Sequence, residues 1–136
     1  MTQVSIVVPV YNEVESVGPL CEKLHKALSN LGRSHEAVLV DDGSRDGTWE
    51  KLTELASEYA FLRLVRLRRN FGQTAAMTAG FAHATGDVIV TLDADLQNDP
   101  ADIPMLLDKV DEGFDVVSGW RRDRKDPLFS RRLPSM

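Results

Sequence analysis

Apolar residues along this chain follow two rhythms that alternate from the amino terminus. Val4 to Val10 is a near-continuous apolar run, as expected of a strand buried on both faces. Val14, Val17, Cys21, Leu24, Leu28 and Leu31 then recur at three- and four-residue steps, which predicts a helix over residues 14–31. A second apolar run, Ala37 to Val40, ends in Asp41-Asp42-Gly43-Ser44. Trp49, Leu52, Leu55, Ala56 and Tyr59 mark the inner face of a second helix. From Leu62 to Leu67 apolar residues alternate with arginine, which predicts a strand with one wet face or an edge position. The alanine-rich stretch Gln73 to Ala84 predicts a helix able to lie close to a sheet. Val88 to Leu92 is a fourth strand, Ile103, Leu106, Leu107 and Val110 mark a further helix, and Asp115 to Ser118 is a last strand.

Strand–helix alternation of this kind predicts an α/β fold, with a mostly parallel sheet and helices on both faces. The first, second and fourth strands are apolar throughout, as buried parallel strands are. There is no internal repeat, low-complexity tract or interdomain linker. In open α/β sheets ligands bind beyond the carboxyl ends of the strands. Three chemically loaded segments fall there: Tyr11-Asn12-Glu13, Asp41-Asp42-Gly43-Ser44 and Asp93-Ala94-Asp95-Leu96-Gln97. Each alone suits a capping turn; three on one edge point to a ligand.

Composition narrows the classes. The 136 residues, 43% hydrophobic and 27% charged, suit one soluble globular domain. One cysteine, Cys21, rules out an intrachain disulfide and lies on an apolar helix face, so it is expected in the core. Three scattered histidines give no zinc spacing. No run approaches the ~20 apolar residues that span a bilayer, and Met1-Thr2-Gln3 carries no basic segment of a signal peptide. The net charge of −5 is uneven: residues 119–136 hold Arg121, Arg122, Arg124, Lys125, Arg131 and Arg132 against Asp123 and Asp126, which is +4 and leaves −9 for the rest. A basic tail on an acidic domain suits an anionic ligand or surface at that end; nothing suggests nucleic acid.

Asp93 and Asp95 carry the most chemistry. Successive strand side chains alternate, so i and i+2 share a side, and two carboxylates aimed at one point repel unless a cation sits between them. A divalent ion with oxygen ligands is the usual answer. A dinucleotide site or P-loop needs glycines after the first strand, and Pro9-Val10-Tyr11-Asn12-Glu13 has none. An EF-hand starting at Asp93 would have Asn98 sixth and Pro104 twelfth, so it lacks both the turn glycine and the bidentate glutamate. An aspartyl phosphatase would carry its acidic pair on the first strand rather than the fourth. A nucleotide-sugar site fits better. Carboxylates accept from ribose hydroxyls and base N–H groups, Asp95 can hold Mg²⁺ or Mn²⁺ against two phosphates, Gln97 offers a neutral oxygen to the same ion, and arginines add bidentate phosphate contacts.

Val8-Pro9-Val10-Tyr11-Asn12-Glu13, Asp41-Asp42-Gly43-Ser44-Arg45-Asp46-Gly47-Thr48, Arg69-Asn70-Phe71-Gly72-Gln73, Asp93-Ala94-Asp95-Leu96-Gln97-Asn98-Asp99-Pro100 and Gly119-Trp120-Arg121 occur in that order. With them the chain resembles the inverting GT-A glycosyltransferases of family 2, and within those the dolichol- and undecaprenyl-phosphate branch. The resemblance covers residues 4 to about 125. It implies a GT-A, Rossmann-like domain over 4–120 and a basic tail over 121–136 that starts an acceptor-side segment. It places Pro9, Tyr11 and Glu13 in the nucleobase pocket and Asp42 on the nucleoside. Asp93 would meet the ribose or the metal, Asp95 and Gln97 would hold the metal, and Gly72 and Gln73 would lie near the nucleotide. Arg121 and Arg124 would bind phosphate. Asp41 ranks below Asp42, as a residue that orients the turn. Trp49 and Trp120 read as packing residues, and Arg66, Arg68 and Arg69 fit a solvated strand face as well as a site.

The implied reaction is one displacement at the anomeric carbon, with inversion, from a UDP- or GDP-sugar to a polyprenyl phosphate at the cytoplasmic face of a membrane. A phosphate monoester's second pKa is about 6, so the acceptor oxygen is largely anionic near neutral pH and a dedicated base is less necessary than for a sugar hydroxyl. The family continues well beyond this length, so the chain is expected to be an amino-terminal piece or a natural truncation, compatible with an oligomer. Two alternatives stay open: a nucleotide-sugar-binding module inactive alone, and a GT-A transferase with a hydroxyl acceptor in polysaccharide synthesis.

Overall fold

A computed structural model describes residues 3–95, 99–111, 116–118 and 129–131. Strands β1 (Val4–Val10), β2 (His35–Asp41), β3 (Leu62–Arg66) and β4 (Val88–Thr91) form one parallel sheet in the order β3-β2-β1-β4. The connections are α1 (Val17–Ser29), α2 (Thr48–Glu58) and α3 (Gln73–His83). A 3-10 turn at Pro100–Asp102 leads into α4 (Ile103–Asp111). The predicted α/β architecture is therefore present, with β1 flanked on both sides.

Strand alternation divides the core. Val4, Ile6, Val8 and Val10 of β1 and Ala37 and Leu39 of β2 face α1, α2 and α4, where Leu20, Cys21, Leu24, Leu52, Ile103 and Leu106 complete the main cluster. Each fully buried Leu or Val there contributes about 1.5–3 kcal/mol. Val7, Val38 and Val40 point the other way, onto Ala76 of α3. That layer is thin, and α3 lies close: a Cβ added to Gly80 would stand 2.4 Å from Val7 Cγ1. The expectation that this helix could approach the sheet is met by its small residues. Cys21 is fully buried as expected; burial, with Glu58 adding to it, pushes its thiol up to about 12.

Local departures have local causes. α1 starts at Val17, three residues later than the apolar period suggests. The Val14 N–H is taken by Asp46 Oδ2 at 3.3 Å, and the Glu13 carbonyl accepts from Ser16 and Val17 in a turn ahead of the helix. Pro19, tolerated only in a first turn, agrees with that start. β3 is an edge strand, as its arginines suggested. β4, expected buried throughout, ends the four-stranded sheet on the other side, and of its residues only Val90 is fully buried. β5 (Val116–Ser118) is not a rung of that sheet. It pairs antiparallel with β6 (Phe129–Arg131), Val117 opposite Ser130, so three residues of the stretch expected as a tail are tied to a strand.

At the amino ends of the strands a single buried carboxylate closes the sheet. Glu36 Oε2 accepts from Ser5 Oγ at 2.6 Å and from the Thr85 N–H at 2.7 Å, and Oε1 accepts from Arg63 at 3.1 Å. Burial alone would raise its pKa, but the hydrogen bonds from Ser5, Thr85 and Arg63 outweigh it and hold the carboxyl below its usual value. Among the described residues no helix is long and apolar enough to cross a membrane.

Candidate functional site

The cleft opens where the sheet runs out of donors. In a parallel strand each residue turns its N–H and C=O to one neighbour, and successive residues alternate between the two. Val10 accepts from Asp42 on the β2 side, and Val7 accepts from Leu92 on the β4 side at 3.1 Å. The next N–H facing β4 would belong to Pro9, which has none. β1 continues to Val10 against β2, while β4 stops at Thr91 and the chain turns through Ala94 and Asp95. Thr91 pairs with Val7, so by count residues 93–95 run past residues 9–11. Both triplets line the resulting cleft.

Three loops at the strands' carboxyl ends are locked together. Asn12 donates its N–H to Ser44 Oγ at 2.8 Å and accepts the backbone N–H of Arg45 at 2.9 Å. Glu13 donates to Thr48 Oγ1 at 3.0 Å. Asp42, buried, accepts the N–H groups of Phe71 at 2.8 Å and Gly72 at 3.0 Å and the Asn70 side chain at 3.1 Å. Gly43, with φ +75°, passes against the 69–70 backbone so closely that a Cβ would sit 2.3 Å from the Arg69 carbonyl carbon. Only glycine fits both that conformation and that approach. The loop after β3 is thus carried on the end of β2, and it sets the start of α3.

The cleft holds about 280 Å³ and is lined by Pro9, Tyr11, Glu13, Asp42, Gly72, Gln73, Asp93 and Asp95, together with Val10, Asn70 and Ala94. That volume is at the small end for a ligand site. Every expected site residue that falls among the described ones is here. Gln97, Arg121 and Arg124 lie outside the described residues. The expected sharing of one strand face by Asp93 and Asp95 is replaced by a turn, because β4 has already ended. Asp41 is fully buried, and its Oδ1 accepts the Ser44 N–H at 3.1 Å; it orients the turn and does not line the cleft. Trp49 packs against the core under Arg66, whose guanidinium stands 5.0 Å from its ring centre, and Arg69 stands 4.7 Å from Phe71. Arg66, Arg68 and Arg69 are exposed and do not line the cleft.

Asn70 was not among the expected site residues. Its signal is only its place in Arg69-Asn70-Phe71-Gly72, and its reach to Asp42 depends on the fold. Asn12 was also missed; an asparagine directly after a buried strand is a candidate for left-handed backbone, and its φ is +51°.

The lining carries four carboxylates, Glu13, Asp42, Asp93 and Asp95, and no lysine or arginine among the described residues. No three metal-ligating side chains converge among those residues. One or two carboxylates at a cleft nevertheless suit Mg²⁺ or Mn²⁺, which take a few protein oxygens and complete their shell with water and phosphate. Asp95, exposed at the mouth, and Asp93 beside it are the residues present that fit such an ion.

A parallel sheet in this order, with helices on both faces and an acidic cleft at the strands' carboxyl ends, is the arrangement of the GT-A class of α/β fold. The chain belongs to Glycosyl transferase family 2, whose pattern matches residues 5–136. It is 48% identical over 135 residues to the undecaprenyl-phosphate 4-deoxy-4-formamido-L-arabinose transferase of Klebsiella pneumoniae (strain 342), covering 98% of this chain and 41% of that one. It is 47% identical over 135 residues to the dodecaprenyl-phosphate galacturonate synthase of Rhizobium johnstonii, covering 98% of this chain and 40% of that one. The chain therefore spans about two fifths of the length of these curated relatives. Among solved structures it resembles the mannosyltransferase PcManGT from Pyrobaculum calidifontis in complex with GDP-Man and Mn²⁺, with TM-score 0.59 and 31% identity over 69% of this chain and 28% of that one.

Proposed function

We propose that this domain binds a nucleoside-diphosphate sugar with Mg²⁺ or Mn²⁺ in the cleft and transfers the sugar, with inversion, to a polyprenyl phosphate at the cytoplasmic face of a membrane. The observation that carries the reading is the convergence of Tyr11, Glu13, Asp42, Asp93 and Asp95 from separate strand ends on one cleft. Four carboxylates repel a bare diphosphate, so the same lining that suits ribose and base donors calls for a cation at the phosphates. The two curated relatives are named for a polyprenyl phosphate, and the solved mannosyltransferase is in complex with GDP-Man and Mn²⁺.

In this reading Pro9 and Tyr11 form the apolar wall against the base, and Glu13 and Asp42 accept from its N–H groups or from the ribose hydroxyls. Asp93 takes a ribose hydroxyl or joins Asp95 and Gln97 at the metal. Gly72 and Gln73 border the nucleotide, and Arg121 and Arg124 meet phosphate. When bound, the metal stabilises charge on the departing diphosphate. The acceptor phosphate oxygen forms the new bond to the anomeric carbon as the bond to the diphosphate breaks, and the protein's part is in-line positioning.

The test is thermal unfolding with UDP, GDP and their hexose conjugates, each with and without MnCl₂. A ligand at 100 times its Kd stabilises by about 2.7 kcal/mol, a rise of several degrees for a domain of this size. No shift with any nucleotide, with or without metal, overturns the reading. Transfer to undecaprenyl phosphate by this chain tests the second half; donor binding without turnover removes the transfer step.

A further inference from the structure

We infer that Asn12 positions the nucleoside half of the cleft by clasping the segment that carries Tyr11 and Glu13 to the loop after β2. The inference rests on the reading of the cleft as a nucleoside-diphosphate site. Asn12 has φ +51° and is the one non-glycine residue with positive φ among the described residues. Asparagine enters that region more readily than other side chains, but the conformation persists only where the surroundings over-determine it.

Here they do. The Asn12 N–H goes to Ser44 Oγ at 2.8 Å, and its Oδ1 takes the Arg45 N–H at 2.9 Å. The next two N–H groups go to Thr48 Oγ1 at 3.0 Å and Asp46 Oδ2 at 3.3 Å. Four bonds in succession tie residues 12–14 to residues 44–48. The far side is itself anchored, because Ser44 donates to the buried Asp41 and Thr48 is held by Asp46.

None of Asn12, Ser44, Arg45, Asp46 or Thr48 lines the cleft, whereas Tyr11 and Glu13, on either side of Asn12, both do. A change of φ at residue 12 rotates the backbone that follows it and carries Glu13 away from Tyr11. The clasp acts through its neighbours, and Asn12 is a positioning residue. Holding the two side chains before a ligand arrives removes the ordering cost of binding.

The test uses the whole chain with Asn12→Ala, Asn12→Gly, Ser44→Ala and the double variant Asn12→Ala/Ser44→Ala. Two readouts are taken: amide hydrogen exchange of the ligand-free protein, and calorimetric affinity for UDP and GDP with MnCl₂. Asn12→Ala and Ser44→Ala are each expected to speed exchange at residues 12–14 and to weaken affinity by about ten-fold, the equivalent of one lost bond. Asn12→Gly keeps the left-handed backbone without the side-chain acceptor and recovers part of the loss. The double variant loses no more affinity than the worse single one, because both break one clasp. A purely structural role lowers Tm and leaves affinity at the wild-type value, and that result overturns the inference. Unchanged exchange at residues 12–14 overturns it whatever the wild type binds. A wild type that binds neither nucleotide, with faster exchange in the variants, fails the reading of the cleft and leaves the clasp supported.

Discussion

Leu92 donates its N–H to the Val7 carbonyl at 3.1 Å, and there the β1–β4 ladder stops. The following residue of β1 on that side is Pro9, and the chain carrying Asp93 and Asp95 turns away into the cleft wall. Pro9→Ala supplies the missing donor. The added rung is worth about 0.5–1.5 kcal/mol, and the lost restriction of the unfolded chain offsets about 0.4–1 kcal/mol. Tm is therefore expected to stay within a few degrees of wild type while UDP and GDP affinity falls, as residues 93–95 are drawn toward β1. Calorimetry beside thermal unfolding checks it; unchanged affinity refutes this role for Pro9.

Asp95 stands exposed at the cleft mouth. Asp95→Ala is expected to abolish the Mn²⁺-dependent part of nucleotide binding, a loss of at least about 100-fold if replacing supporting groups around a metal already costs 10–100-fold. Wild-type protein in EDTA should match the variant. Equal UDP affinity with and without Mn²⁺ in the wild type removes Asp95 from the metal.

Glu36 links acid stability to the sheet. Its folded pKa is depressed, so it contributes stability above its unfolded value near 4.5, and that contribution is lost as pH falls through the folded pKa. Urea unfolding from pH 7 down to pH 3 should show the wild type losing stability faster than Glu36→Gln. At pH 7 the variant should be less stable by about 1–3 kcal/mol, the cost of leaving Ser5 and Thr85 imperfectly matched. Parallel pH profiles exclude the role.

Gly80→Ala tests the α3 contact. Alanine gains up to about 1 kcal/mol of helix propensity, but its Cβ meets Val7 Cγ1 at 2.4 Å, on a buried, stiff β-branched side chain. Overpacking of that kind costs about 1–3 kcal/mol, so the net is destabilising. Because Gly72 and Gln73 at the head of α3 line the cleft, nucleotide affinity should fall with Tm. A stabilised variant means that the sheet yields.

The elements were legible where burial imposes a period. β1, an interior strand that is apolar almost throughout, has the expected bounds, whereas β2, also interior, runs from His35 to Asp41, beyond the apolar run that marked it. The arginines of β3 left a wet face and an edge position open, and the sheet order makes it an edge strand. The late start of α1 was not, because it depends on Asp46 taking the Val14 N–H from 32 residues away. The β5–β6 pairing was also not legible, since two three-residue strands carry too short a pattern.

By itself the sequence determined that strands and helices alternate, that Pro9 withholds a donor from β1, and that acidic residues follow the first, second and fourth strands. Those are properties of neighbours in the chain, set by side-chain period and by proline's missing N–H. The tertiary structure decided which of the acids share a cleft, that Asp42 holds residues 70–72 across 28 to 30 positions, and that Asn12 is clasped by Ser44 across 32. Bonds between residues so far apart exist only once the parallel sheet has brought the strand ends together, and the period of each strand does not say which strands lie side by side.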